Sequence, residues 1–193
     1  MEPSIATAVR RAHASDTVAL TDLVNRAYEV ESAFIEGQRT SAAEIEQLIR
    51  AGGFLVLEYA GGIGAAILVQ GPGERPGVPP EHAYFGMLSV LPELQGMGLG
   101  RRLVQVAEAL AEAAGATSMT IRVINLREEL SRWYRSLGYR EVGTSPYASE
   151  APGEPAPLGY NHRSVKRACH FIEMAKPLLP AAPSYTQHQI GLA

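Results

Sequence analysis

At 193 residues the chain has the length of about one domain on the usual scale of roughly 100–200 residues each. With 46% hydrophobic and 19% charged residues it has enough apolar side chain for a sizeable core and too little charge to stay disordered. A net charge of −3 without a basic patch argues against a nucleic-acid partner, and a single cysteine, Cys169, excludes a disulfide framework or a multi-thiolate metal site. The lone cysteine fits a reducing compartment, and Met1-Glu2-Pro3-Ser4 shows no secretory leader. No apolar run reaches the roughly 18 residues that a membrane span needs. The expectation is therefore a cytoplasmic protein with no membrane partner.

In chain order, Ile5–Arg10 reads as a first strand, and Ala14-Ser15-Asp16 supplies capping residues before Leu20, Leu23, Val24 and Ala27 recur on a helical face. Ser41-Ala42-Ala43-Glu44 has the form of a capping box, in which hydroxyl and carboxylate satisfy each other's backbone amides, followed by Ile45, Leu48 and Ile49. Residues 54–59 and 63–70 are β-rich runs joined by Ala60-Gly61-Gly62, the chemistry of a tight antiparallel hairpin. Gly71–Pro80, with four prolines and three glycines, cannot continue a strand and reads as a surface loop.

The chain then re-enters the core with a strand over 82–90. Good helix formers dominate 98–114, where Leu103, Val106, Ala107 and Leu110 are spaced for one buried face and Gly115 follows as a stop. Residues 118–124 read as a buried strand, 126–137 as a helix ended by Gly138, 139–142 as a strand, and 167–174 as the last strand. Residues 144–165 are rich in Pro, Gly, Ser and Tyr without periodicity. The expected organisation is one mixed α+β domain over 1–177 and a loosely held tail over 178–193.

The most informative stretch, Val90-Leu91-Pro92-Glu93-Leu94-Gln95-Gly96-Met97-Gly98-Leu99-Gly100-Arg101-Arg102-Leu103, joins a strand to a helix. Glycines at 96, 98 and 100 let the backbone approach a ligand, and the free amides at the helix start can bind an anion. Tight packing alone would also explain them. A Walker loop needs Lys-Ser or Lys-Thr after its last glycine, where Arg101-Arg102 stand. A Rossmann fingerprint counted from Gly96 needs a glycine at Arg101 and an acid where Asn125 ends the next strand. Neither ATP nor NAD is indicated.

The stretch resembles the acetyl-coenzyme A motif of the GCN5-related N-acetyltransferase (GNAT) family: Gln or Arg, two residues, Gly, one residue, Gly or Ala. Gln95-Gly96-Met97-Gly98-Leu99-Gly100 matches it throughout. The resemblance extends to the strand Phe85-Gly86-Met87-Leu88-Ser89-Val90, to Asn125, and to Trp133-Tyr134-Arg135-Ser136-Leu137-Gly138-Tyr139, similar to the family's Tyr-x-x-x-Gly-Phe/Tyr block. It implies a mostly antiparallel mixed sheet flanked by helices, with acetyl-coenzyme A (acetyl-CoA) as cosubstrate in a gap between two splayed strands. Leu88, Ser89 and Val90 would line the pantetheine, with backbone groups of Leu88 and Val90 bonding its amides. Gln95, Gly96, Met97, Gly98, Leu99, Gly100 and Arg101 would receive the pyrophosphate. Asn125 would either cap the next helix or contact the cofactor arm, though it stands further from Tyr134 than is usual in the family.

Tyr134 shares a helix face with Leu126, Leu130 and Leu137, the spacing of a core residue; the resemblance makes its hydroxyl the proton donor to the departing thiolate. An acceptor ammonium must also lose a proton. The strand from Ala83 to Val90, which supplies the base in some members of the family, has no acid; the resemblance, which places the acceptor site beside the first helix, makes Glu29, Glu31 and Glu36 candidates, each with a solvated surface role as the competing explanation. His82, His170 and Cys169 read as structural strand residues, and no spacing of His or acids predicts a metal. The implied reaction is acetyl transfer from acetyl-CoA to an amine, small molecule or peptide. A non-catalytic acyl-CoA-binding regulatory module stands as the alternative, and because many family members are dimers, a homodimer is compatible with the resemblance.

Overall fold

The computed structural model describes residues 8–147 and 165–178. Its elements are β1 (Val9–Arg11), α1 (Thr17–Tyr28), α2 (Ala42–Arg50), β2 (Phe54–Tyr59), β3 (Gly62–Gln70), β4 (His82–Val90), α3 (Leu99–Ala113), β5 (Ser118–Ile124), α4 (Glu128–Ser136), β6 (Arg140–Pro146) and β7 (His170–Pro177). The strands form one sheet in the order β1-β2-β3-β4-β5-β7-β6. Every neighbouring pair is antiparallel except β4–β5, which α3 joins as a crossover. The mostly antiparallel mixed sheet expected from the sequence is therefore present.

Helices cover both faces, which is why the central strands read as continuous apolar runs. Leu55, Leu57, Ala65 and Ile67 point to the face packed by α3 and α4, where they meet Leu103, Ala107 and Tyr134. Their neighbours Phe54, Val56, Ala66 and Leu68 point to the other face and meet Leu20, Leu23, Val24, Ile45, Leu48 and Ile49 of α1 and α2. The β2–β3 turn places Ala60 and Gly61 at φ +50° and +82°, the positive values that a two-residue hairpin turn requires.

Several boundaries differ from the sequence reading. The first strand runs Val9–Arg11; the part of Ile5–Arg10 before residue 8 lies outside the described residues. Residues 14–16 form a turn of 3₁₀ helix, and the Asp16 carboxylate binds Arg10 and the His13 amide, both at 2.7 Å, in place of a cap on α1. In the box at α2, the Ser41 hydroxyl accepts from the Glu44 amide at 3.3 Å, while the Glu44 carboxylate accepts from the Thr40 hydroxyl at 2.7 Å.

On α3, Leu103 and Ala107 are buried as expected, but Val106 is half-buried and Leu110 is 41% exposed. The small Ala107 and Ala111 let the helix lie close to the sheet, and the buried stripe turns toward Leu99, Val104 and Ala111. Helix α4 starts at Glu128, two residues later than predicted. The last strand is shifted toward the C-terminus, because its register is set by β5, with Ser118 opposite Pro177 and Ile124 opposite Phe171. Residues 165–166 are drawn away to the segment after α1: Val165 bridges Ile35, and the Lys166 amide donates to the Phe34 carbonyl at 2.9 Å.

Strand β6 extends to Pro146, past the predicted Val142, because β7 pairs along it as far as His170. Of the residues expected to be irregular or tail, 148–164 and 179–193 lie outside the described residues, and Leu178 packs into the α3 core. The 71–80 loop is present and buries Arg75 over the Tyr84 ring at 3.7 Å. Cys169 is half-buried just before β7, against the Phe34 and Ile35 cluster. Among the described residues no helix is long and apolar enough to cross a membrane, and no cluster of three or more His, Cys, Asp or Glu converges.

Candidate functional site

The parallel ladder between β4 and β5 is short. His82, Ala83 and Tyr84 pair with Ser118, Met119 and Thr120, and beyond Tyr84 the strands part. The cause lies in β4. Its register against β3 slips by one residue between the Gly86–Leu68 and Ser89–Ala66 pairs, and Met87 sits in this bulge at φ +46°. Such a conformation costs an L-residue roughly 1–2 kcal/mol, an unfavourable contribution offset by burying the Met87 side chain among α1 and α2. The bulge bends β4 from β5 and leaves one edge of the strand without a partner strand. Leu91 donates its amide to Gly64 of β3 at 3.0 Å, so the alternation of the pleat turns the backbone groups of Val90 and Leu88 to the opposite edge, toward the gap.

That gap is the floor of a cleft of about 550 Å³. At one end lies the turn from Gln95 to α3. Gly96 and Gly98 adopt φ of +83° and +82°, and the first helical amides, Leu99, Gly100 and Arg101, have no intrahelical acceptor. The Gln95 side-chain amide donates to the Val90 carbonyl at 3.3 Å, tying the turn to the end of β4. A Cβ at Gly100 would stand 3.5 Å from Val90 and 3.8 Å from Trp133, so this glycine keeps the floor beside them clear. The chemistry of this end of the cleft suits a phosphate-sized anion: backbone amides and a helix N-terminus lie there, and Arg101 is among the lining residues.

Tyr134 of α4 also lines the cleft. Its ring is 6% exposed and packs against Trp133, Tyr139 and Phe85, with centroids 4.8, 5.8 and 5.9 Å away. Burial pushes the Tyr134 hydroxyl well above the ordinary tyrosine range, with Tyr28 and Tyr84 adding to the effect and Arg127 opposing it. At neutral pH the hydroxyl therefore keeps its proton. The cleft is also lined by Tyr28, Glu31, Arg39, Arg127, Tyr147 and Phe171. Burial likewise raises the Tyr28 hydroxyl, and Arg127 lies 3.7 Å from the Glu31 carboxylate.

The cleft gathers most of the residues singled out in the sequence: Leu88, Val90, Gln95, Gly96, Gly98, Leu99, Gly100, Arg101 and Tyr134 all line it. Three do not. The Ser89 side chain, 1% exposed, turns back to the Met87 carbonyl at 3.1 Å, and Met97 is 53% exposed on the outer side of the turn. Asn125 does not cap α4, whose N-cap is Arg127; its side-chain oxygen accepts the His170 amide at 2.9 Å and continues the β5–β7 ladder past Ile124. Of the three acidic candidates, Glu29 and Glu36 are exposed, whereas Glu31 is 3% exposed and faces the cleft, which overturns a surface role for it.

Sequence reasoning missed Tyr28, Arg39, Tyr84, Arg122, Arg127 and the pair Tyr147 and Phe171. One signal was available for Tyr84. Gly86 interrupts a strand, and a Cβ there would come within 2.8 Å of the Tyr84 hydroxyl, a close approach of the kind a strand glycine marks.

Residues 50–141 match the family model described as an acetyltransferase (GNAT) domain. No curated protein matches the chain by sequence. Among solved structures, the ribosomal-protein-S18-alanine N-acetyltransferase from Escherichia coli superposes with a TM-score of 0.66 at 18% identity, covering 93% of this chain and 98% of that one. The protein yncA from Salmonella typhimurium, solved with its cofactor acetyl-CoA, gives 0.66 at 21% identity, covering 92% and 99%. The ribosomal-protein-alanine N-acetyltransferase from Brucella melitensis gives 0.66 at 22% identity, covering 89% and 99%. At these identities the likeness is one of fold.

Proposed function

Because residues 50–141 carry a GNAT acetyltransferase domain, we propose that the protein is an N-acetyltransferase that passes the acetyl group of acetyl-CoA directly to an amine. The observation that carries this reading is the parting of β4 and β5 beyond Tyr84, with the glycine turn and the start of α3 at one end of the gap. The pyrophosphate sits on the amides of that turn, with Arg101 adding a charge, and the pantetheine arm follows the free edge of β4 past Val90 and Leu88. The thioester carbonyl lies at the Leu88 amide, which polarises it, and Tyr134 protonates the sulfur as it leaves. Catalysis then rests on positioning and on fixed donors, without a covalent enzyme intermediate.

A panel of amines spanning polyamines, amino acids, aminoglycosides and peptides, scored by thiol release from acetyl-CoA, tests the proposal. Amine-dependent release is expected for at least one class. Binding of acetyl-CoA with no release for any amine would leave a non-catalytic acyl-CoA-binding module.

The glycine turn is testable alone. A Cβ at Gly98 meets nothing within 4 Å, so the space is open, but φ +82° is a conformation that a β-branched residue strongly resists. Gly98→Val should therefore disturb the amides behind it and raise the dissociation constant for acetyl-CoA at least about tenfold, or roughly 1.4 kcal/mol. Isothermal titration calorimetry on the folded variant reads this, and an unchanged constant would move the cofactor site elsewhere.

A further inference from the structure

Resting on the acetyl-transfer reading, we infer that Arg75, which belongs to the 71–80 loop and not to the cleft lining, fixes the Tyr84 hydroxyl where it receives a hydrogen bond from the acceptor amine. Arg75 is a positioning residue, and Tyr84 is the acceptor-binding residue that it sets. Arg75 is 7% exposed, its guanidinium carbon stands 3.7 Å from the Tyr84 ring centre, and its Nη1 donates to the Gln70 side-chain oxygen at 2.8 Å. Burying a guanidinium is costly, and an apolar side chain would fasten a loop without that cost. What a guanidinium adds is a flat cation that seeks the face of an aromatic ring and so fixes its tilt.

Strand pairing explains why these side chains meet. Gln70 lies opposite Tyr84 in the β3–β4 ladder, so both side chains leave the same face of the sheet, and the loop that follows Gln70 returns Arg75 onto them. Along the strand, Gly86 clears the way. It stands two residues after Tyr84 on the same face, and a Cβ there would come within 2.8 Å of the Tyr84 hydroxyl, 3.0 Å of Cε1 and 3.2 Å of Cζ. The ring therefore leans along β4 toward the C-terminal end of the strand, over a glycine that would otherwise only weaken the strand interior. Fastening the loop alone would need no glycine at this position.

That lean carries the hydroxyl toward the reacting end of the cleft. Tyr84 is the last residue of β4 to pair with β5, and its oxygen lies over Gly86, two residues or about 7 Å of strand before Leu88, whose amide takes the thioester carbonyl in the proposed reaction. One nitrogen spans that interval, about 3 Å from the hydroxyl as a hydrogen-bond donor and about 3 Å from the carbonyl carbon as the nucleophile. Tyr84 is also within electrostatic reach of Tyr28 and Tyr134, so hydroxyls from α1, β4 and α4 share this stretch. An N–H of the amine donates to the Tyr84 oxygen and leaves the lone pair to face the thioester; no bond to Tyr84 forms or breaks.

The experiment measures acetyl transfer to the most active primary amine of the panel by wild type, Tyr84→Phe, Arg75→Met and the double variant. Tyr84→Phe keeps the ring under the guanidinium and removes only the oxygen, so KM for the amine should rise about tenfold, with kcat within about twofold and the dissociation constant for acetyl-CoA unchanged. Arg75→Met keeps the length of the side chain and loses the flat cation; it should raise the same KM severalfold and add nothing in the Tyr84→Phe background. Where that variant does not fold, Arg75→Lys, which keeps the charge without the plane, is read in the same way. A wild-type KM in Tyr84→Phe or in the Arg75 variant would overturn the inference. So would an Arg75 effect that persists in the Tyr84→Phe background, which makes the residue a fastener of the loop only, or a dissociation constant for acetyl-CoA that rises with KM. Absence of thiol release by the wild-type protein with every amine would instead fail the acetyl-transfer reading itself, on which the inference rests.

Discussion

Tyr134→Phe is expected to lower kcat by a factor on the order of 10²–10⁴, the range for loss of a positioned general acid, while leaving cofactor affinity nearly intact. The ring is a core element, packed edge-on or tilted against Trp133, Phe85 and Tyr139, and phenylalanine preserves those contacts. The hydroxyl makes no hydrogen bond to another described residue, so its removal leaves no polar group unpaired and thermal stability should hardly change. Burial holds the proton on the oxygen at neutral pH, as a donor must. A coenzyme A thiol has a pKa near 8.5, so its thiolate is a fair leaving group, and water entering the space would bring the loss to the lower end of the range. The measurement is kcat beside the dissociation constant for acetyl-CoA. Full activity with intact binding would make Tyr134 a packing residue only, and the proton donor would lie elsewhere in the cleft.

Acetyl-CoA at about 100 times its dissociation constant should stabilise the native state by about 2.7 kcal/mol, provided that it binds only the folded chain. The proposed site exists only when β4 and β5 are both in the sheet and Met87 is seated in its bulge, so an unfolded chain offers nothing comparable. For a protein of this size the stabilisation corresponds to a rise in Tm of roughly 5–11 °C. ATP and NADH share the phosphates but lack the pantetheine arm that would follow the free edge of β4, and they should shift Tm much less. An equal shift with ATP would reduce the site to a general anion pocket at the start of α3.

These two results probe features that were legible in the sequence to different degrees. The glycine turn was legible because its chemistry is local: glycines at fixed offsets before a helix mean orphan amides and positive φ wherever the chain goes next. Tyr134 was half legible, since its spacing with Leu130 and Leu137 places it inward and only the family resemblance distinguishes a cleft tyrosine from a core one. Glu31 was not legible as a choice. Glu29, Glu31 and Glu36 are alike in type and lie in one short irregular stretch, and their different exposures follow from where the turn after α1 meets Lys166 and α4. Arg127 and Phe171 were equally hidden, being brought to the cleft by β7 pairing with β5 and by a helix that begins later than its pattern suggests.

By itself the amino-acid sequence determined the alternation of strands and helices, the hairpin at Ala60-Gly61, the glycine turn with its orphan helix amides, and a helix carrying tyrosine toward the core. All of these depend on interactions within a few residues along the chain: hydrophobic period, turn conformation and orphan helix amides. Only the tertiary structure decided that β7 inserts between β5 and β6, that Asn125 continues a ladder in place of capping a helix, and that one glutamate of three faces the cleft. Those outcomes depend on register between segments more than 40 residues apart, such as Asn125 against His170, where a shift of one residue turns each side chain to the opposite face.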